Sequence, residues 1–252
     1  MSGTVVLLHA HPDDEAIFTG GTMALLAADG WRVVLVTATR GEEGTPRFPL
    51  PPGEAVATRR EAETRAAAAI LGVTEVRFLG YHDSGVPEAG AVPAPGAFGA
   101  CDVGEAAAAV ARVCDEVAAD ALVAYDEGGI YRHPDHLMVH RVGRAAAEAA
   151  GLPTWYEATV DHEYLHFVDV HLVAGANGSL AERATVGLPT ALITTPVDCR
   201  AVLEHKWRAM AAHASQIPDA DPHLPPERFA DVYGYEWFVR HGPRGPVEAL
   251  VH

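Results

Sequence analysis

This sequence predicts a single α/β domain over residues 1–252, built on a mostly parallel, Rossmann-like sheet with helices on both faces. Three observations point there. Short apolar runs alternate with helix-length segments through the first 150 residues, glycines stand at the ends of those segments, and 252 residues that are 49% hydrophobic can bury one sizeable core.

Residues 4–9 read as a short buried strand and 32–38 (RVVLVTA) as a second. Between them, 15–29 (EAIFTGGTMALLAAD) suits a helix ended by Gly30, which closes a β-α-β unit. Its internal Gly20-Gly21 pair lowers helix propensity and marks a close backbone approach or a break. The stretch 56–71 is rich in helix formers, stops at Gly72 and leads into a strand at 75–79 (EVRFL). Helix 103–118 pairs with strand 121–125 (ALVAY), and 135–150 forms another helix stopped by Gly151. A helix is expected at 199–214, and the tail 230–241 adds a strand or two. This alternation argues for parallel strands covered on both faces. Two segments break the rhythm. Residues 85–100 are Gly/Pro/Ala-rich and suit a mobile rim over a site, and 216–227 form a second Pro-rich loop.

The net charge is −16, from 34 acidic against 18 basic residues, and no Lys/Arg stripe offsets it. Such a field repels nucleic acid and anionic membrane surfaces and favours solubility. The three cysteines, Cys101, Cys114 and Cys199, contain no CxxC pair, so free thiols are expected instead of a disulfide framework or a cysteine zinc site. No segment approaches the roughly 18 apolar residues of a membrane span, and the N-terminus runs straight into an apolar strand. A cytoplasmic location is the expectation, and the chain is compatible with an oligomer.

The chemistry gathers in two places. His9-Ala10-His11-Pro12-Asp13-Asp14-Glu15 follows the first strand, and so many carboxylates and imidazoles in one turn call for a compensating cation. The plainer reading is a capped helix start, since Asp is a favoured N-cap and acidic residues suit a first turn. Tyr131-Arg132-His133-Pro134-Asp135-His136 repeats the syntax after strand 121–125. The carboxyl ends of parallel strands lie along one sheet edge, where ligands bind, so the two turns can converge. Imidazole and carboxylate are ligands that zinc accepts, and three of them leave a catalytic position open. The metal lowers the pKa of bound water from about 15.7 to roughly 7. A spare carboxylate can take that proton; spacing leaves open whether Asp13 or Asp14 is the spare one.

These motifs are similar to those of the LmbE-like deacetylases, the family of the N-acetylglucosaminyl-phosphatidylinositol de-N-acetylase and of the mycothiol- and bacillithiol-pathway deacetylases. The resemblance extends to Gly20-Gly21-Thr22, to Thr39 through Gly44, to Arg60 with Glu63, and to Lys206 through His213 to Gln216. Asp83-Ser84-Gly85 resembles the turn of the mycothiol-pathway members in particular.

The resemblance implies that His11, Asp14 and His136 hold the metal, with Asp13 as general base. It implies that His133 faces the developing oxyanion or protonates the departing amine, and that Tyr131 lies near the tetrahedral intermediate. Asp135 would hold an imidazole in its tautomer, a role the chemistry also favours. Arg60 and Asp83 would meet sugar hydroxyls or the group attached to the sugar. The implied activity is removal of the acetyl group from a small N-acetylglucosamine-containing molecule, with Zn2+ as cofactor, although such a site also accepts Fe2+ and other divalent ions.

The competing readings are an amidase cleaving a larger amide on the same sugar, and an inactive relative that only binds sugar or metal. A nucleotide-binding domain is disfavoured, because the first strand–helix turn lacks a glycine-rich phosphate cradle. His9 and His140 read better as structural residues than as ligands. Trp155, Tyr156 and Trp237 read as core, and Glu15 either supports the site or merely suits a helix start.

Overall fold

The computed structural model describes residues 3–85, 92–171, 186–217 and 226–251. Strand β1 (Thr4–His9) is buried along its whole length, which explains its unbroken apolar run. After it come α1 (Asp14–Phe18), α2 (Gly20–Ala28), β2 (Arg32–Thr37), α3 (Val56–Ile70) and β3 (Glu75–Phe78). The second half-unit contains α4 (Val103–Val117), β4 (Ala121–Tyr125), the short α5 (Gly129–Arg132), α6 (Pro134–Ala149) and β5 (Thr154–Thr159). Then follow α7 (His162–His171), β6 (Thr195–Asp198), α8 (Leu203–Ala212), α9 (Pro226–Tyr233) and β7 (Tyr235–His241).

All seven strands join one sheet in the order β3-β2-β1-β4-β5-β7-β6. The pairs from β3 to β5 are parallel, whereas β7 runs antiparallel to β5 and β6 antiparallel to β7. Leu7 of β1 lies beside Leu35 of β2 on one side and Val123 of β4 on the other. The chain thus winds outward from β1 to β3 and returns to lay β4 against β1. Right-handed crossovers in opposite directions place helices on opposite faces. Helices α2 and α3 pack against α8, while α4 packs against α6. The β1/β4 boundary is the switch point of the sheet, and both motif-bearing turns leave it from the carboxyl ends of these strands.

Several expectations are corrected. The helix expected over 15–29 is two helices broken at Thr19, whose φ of −138° leaves the helical region. The break seats Gly21 against Cys199, where an added Cβ would lie 2.4 Å from Sγ. The helix expected over 199–214 opens as a 3-10 turn (Arg200–Val202) and becomes α-helical only at Leu203. The tail 230–241 carries the end of α9 and one strand. In the loop 85–100, residues 86–91 lie outside the described residues, but its end is anchored: Phe98 is fully buried and its N–H donates to the His82 carbonyl. Of the loop 216–227, residues 218–225 lie outside the described residues, and α9 begins at Pro226. Among the described residues no helix is long and apolar enough to cross a membrane, and all three cysteines are free.

Candidate active site

The first turn is held by charge and by strain. Asp13 adopts φ 104°, a region L residues avoid, and its side chain makes no capping bond to α1. It meets Arg60 instead, whose Nη2 lies 3.2 Å from Asp13 Oδ2 and donates to the Pro12 carbonyl at 2.6 Å. Nη1 of the same guanidinium donates to the Gly41 carbonyl at 2.8 Å. Gly41 has φ 64°, and a Cβ there would sit 2.3 Å from that Nη1, so this position requires glycine. The Asp13 backbone N–H donates to Glu15 Oε2 at 3.0 Å. Glu15 Oε1 in turn lies 2.5 Å from His213 Nε2, both side chains being fully buried.

The second turn is strained as well. Ile130 has φ 63° and Arg132 φ 67°, and Gly129, at φ 58°, packs so tightly on His136 that a Cβ would lie 2.7 Å from its carbonyl carbon. Of the four non-glycine residues with positive φ among the described residues, three (Asp13, Ile130 and Arg132) stand in these two turns. Each such conformation costs on the order of 1–3 kcal/mol and persists only where the surroundings enforce it, which is common at functional sites. Pro134 starts α6, and His133 Nδ1 caps it by accepting from the Asp135 N–H at 3.2 Å.

The two turns meet at Asp14. Its Oδ2 lies 3.4 Å from His11 Nδ1 and 3.3 Å from His136 Nε2, and it accepts the His11 N–H at 2.8 Å. On its other side His11 presents Nε2 to Asp135 Oδ2 at 3.0 Å and to Asp83 Oδ1 at 3.4 Å. Ser84 donates to Asp135 through both its N–H and its hydroxyl. The Tyr131 hydroxyl reaches His136 Nε2 at 3.1 Å. His133 stands edge-on to His11, with ring centroids 4.7 Å apart.

This neighbourhood spreads the acidities apart. Burial pushes the Asp13 carboxyl up to about 7, with Arg60 opposing and Asp14 adding to the rise. Burial also works against ionised Asp14, but the charge of His136 and the contacts with His11 outweigh it and hold Asp14 well below the carboxylate range. Desolvation alone would lower His11, yet Asp135, Asp14 and Asp83 together hold it well above its ordinary value. His133 is pushed down by burial and by the neighbouring His11 and His136.

All nine residues singled out in the sequence therefore occupy one locality: His11, Asp13, Asp14, Arg60, Asp83, Tyr131, His133, Asp135 and His136. The grouping differs in detail from the expected ligand triad. Among the described residues, the sets whose ligand atoms all lie within 4.8 Å are His11–His133–His136 and His11–Asp83–Asp135. Asp14 joins through its two close contacts. Separations of 3.3 and 3.4 Å match the edge of a tetrahedron, about 3.3 Å, when ligands stand at roughly 2.0–2.1 Å from zinc. The donor set therefore fits a divalent cation.

His9 and His140 stay outside the cluster. His9 is buried between the Tyr125 hydroxyl, 2.8 Å from Nδ1, and the Thr19 hydroxyl, 2.9 Å from Nε2, and burial lowers its pKa to about 4. His140 Nδ1 lies 3.1 Å from the Tyr125 carbonyl and 3.3 Å from Glu157. Arg60 and Asp83, expected at sugar hydroxyls, are both turned inward. Sequence reasoning missed Ser84 as the support of Asp135, His213 as the partner of Glu15, and Tyr125, whose ring lies 4.7 Å from that of His136.

Comparison with known proteins identifies the family. A family model described as PIG-L, GlcNAc-PI de-N-acetylase, matches residues 6–147. The 1D-myo-inositol 2-acetamido-2-deoxy-alpha-D-glucopyranoside deacetylase of Thermobispora bispora is 38% identical, over 96% of this chain and 89% of that protein. Among solved structures, N,N'-diacetylchitobiose deacetylase from Pyrococcus horikoshii superposes with a TM-score of 0.58 at 20% identity, over 95% of this chain and 84% of its own. The 4-carboxy-2-hydroxymuconate hydratase GalB of Pseudomonas putida does so with a TM-score of 0.60 at 18% identity, over 96% and 98%. A hydratase and a deacetylase on one fold show that architecture alone does not choose the reaction. Matched over more than half its length by the family model and at this identity by a relative over nearly all of it, the chain belongs to the PIG-L, or LmbE-like, family.

Proposed function

We propose that this chain is a metal-dependent N-deacetylase that releases acetate from a small N-acetylglucosaminide, a polyol glycoside of the kind named for its relatives, 1D-myo-inositol 2-acetamido-2-deoxy-alpha-D-glucopyranoside. The observation that carries this reading is the meeting of two distant turns at Asp14, with Asp13 beside it and tied to Arg60. His11, Asp14 and His136 would hold the cation. Zinc suits this donor set, and iron(II) is the alternative that availability would select. When bound, the ion supplies Lewis-acid polarisation and makes water a better nucleophile.

The remaining work falls to the chain itself. Asp13 takes the proton of the attacking water, and Arg60 keeps its carboxylate aimed across the turn. His133 faces the oxygen that gains charge or delivers a proton to the departing amine, because an amide needs its nitrogen protonated to leave. Tyr131, whose hydroxyl reaches His136, stands where it can donate to the tetrahedral carbon's oxygen. Asp135 fixes the His11 tautomer by accepting from Nε2–H, which leaves Nδ1 free to ligate. Arg60 and Asp83, turned inward onto Asp13 and His11, act on the sugar only through those two residues.

The test is acetate release from a panel of N-acetylglucosaminides by metal-loaded protein. Asp13→Ala is expected to retain its metal and to lose about 10²–10⁴-fold in kcat. Wild-type turnover by Asp13→Ala would remove Asp13 as the base, and no acetate from any member of the panel would remove the activity and leave a sugar- or metal-binding protein.

A further inference from the structure

Beside the catalytic cluster lies a concavity of about 240 Å³ that shares the Tyr131 side chain with it. Tyr131 lines it, though its hydroxyl is 3.1 Å from His136 Nε2, and so does Phe18, whose ring centroid is 6.2 Å from that of His136. Tyr164 and Trp237 form further walls. Two charged residues also reach it, Lys206 and Glu236, but they compensate each other. Lys206 Nζ donates to Glu236 Oε1 at 2.6 Å, and the same carboxylate accepts the Gly21 and Thr22 N–H groups, each at 2.8 Å. The walls therefore offer aromatic and aliphatic surface with no uncompensated charge.

A sugar or an inositol ring does not suit such walls, because its hydroxyls would leave water without gaining partners. An acetyl methyl group is far too small for the space. The volume is roughly one and a half times that of the ~150 Å³ apolar cavity that takes up benzene. We infer that this cavity is a binding subsite for a neutral apolar group, an alkyl chain or an aryl ring, carried by the amino-sugar ligand seated at the catalytic cluster. The inference rests on the deacetylase reading only for the sugar that carries the group. Tyr131 links the two sites: it lines the cavity, its hydroxyl reaches His136, and at 43% exposure its outer edge is open for a ligand to cross. The apolar group can come from the acyl side of the amide or from the aglycone, and the two sources are separable.

The test is calorimetric binding to metal-loaded Asp13→Asn protein, since asparagine tolerates the positive φ of that position. One series lengthens the acyl chain of N-acylglucosamine methyl glycosides from acetyl to octanoyl. The other keeps the acetyl group and varies the aglycone from methyl to octyl and phenyl. Each methylene that enters the cavity is expected to tighten binding roughly fourfold until the space is full. A gradient in the acyl series assigns the cavity to the acyl chain, and a gradient in the glycoside series assigns it to the aglycone. Leu165, another wall residue outside the catalytic machinery, supplies the control. In the same background, Leu165→Trp should abolish the gradient, and Leu165→Ala should extend it to longer chains, which keeps the test sound if the larger side chain fails to fold. Flat affinities in both series, or a gradient that neither variant alters, would overturn the inference. No acetate release by the wild-type protein, with the gradient intact in Asp13→Asn, would remove the deacetylase reading and leave the subsite; acetate release by wild type with no gradient would remove the subsite alone.

Discussion

Asp13 has a backbone conformation that its side chain does not repay locally, since it caps nothing and meets only Arg60. Something else must hold the turn, and the buried Glu15–His213 pair is placed to do so. Glu15 Oε2 accepts the Asp13 N–H at 3.0 Å while Oε1 engages His213. Burial would lower the His213 imidazole, but Glu15 outweighs it and raises it above its ordinary value, so the pair is held together by charge. Glu15→Gln keeps an acceptor for the Asp13 N–H and loses only the charge; Glu15→Ala loses both. The expected order of kcat is wild type, then Gln, then Ala, with Ala down about 10–100-fold, as for residues that orient a metal site from behind, and KM little changed. Equal turnover in all three proteins would reduce Glu15 to a structural residue. This pairing was not legible in the sequence: Glu15 and His213 lie 198 positions apart, and no local spacing joins them. The two His-Pro-Asp turns were legible because each packs its donors into a few consecutive residues behind an apolar strand.

At the scale of elements, legibility followed burial. Strands β1, β2 and β4 are buried almost throughout and read as continuous apolar runs. Strand β5 (TWYEAT) carries Glu157, and β6 (TPVD) carries a proline and an aspartate, so neither shows the run that announces a strand. Glu157 earns its place by tying three elements together: Oε1 lies 3.3 Å from His140 Nδ1 on α6, and Oε2 lies 3.3 Å from His241 Nε2 on β7. Burial opposes protonation of His140, but Glu157 and the Tyr125 carbonyl prevail and raise its pKa. A folded-state pKa above the unfolded value of about 6.5 means that protonation stabilises the fold. That contribution is present in full below about pH 6.5 and fades as pH rises through the raised folded value. In an NMR titration, Glu157→Gln should bring the His140 pKa down and flatten this part of the stability–pH curve. An unchanged His140 pKa in that variant would show that Glu157 is not its source.

For the molecule as a whole, the strand order brings to the β1/β4 boundary a concentration of buried charge that Arg60 and the helix N-termini carrying Asp14 and Asp135 offset only in part. Asp14, Asp83 and Asp135 are each buried, and all three face His11. Even with His11 and His136 both protonated, this group keeps a net negative charge, which is costly in a low-dielectric interior. A bound divalent cation would relieve it, so folding and metal binding should be linked. A ligand present at 100 times its Kd stabilises the native state by about 2.7 kcal/mol. For a chain of this size that corresponds to a rise of roughly 5–10 °C in melting temperature. Chelated protein is expected to melt lower by that amount than protein supplied with zinc or iron(II), and Asp14→Ala should abolish the difference, because it removes the carboxylate that touches both histidines. Phe98, buried in the core beyond the site, offers a control: Phe98→Leu should lower both melting temperatures and leave their separation intact. Were chelated and metal-supplied wild type to melt together, the charge at the switch point would have to be balanced by protons, and the case for a resident cation would fail.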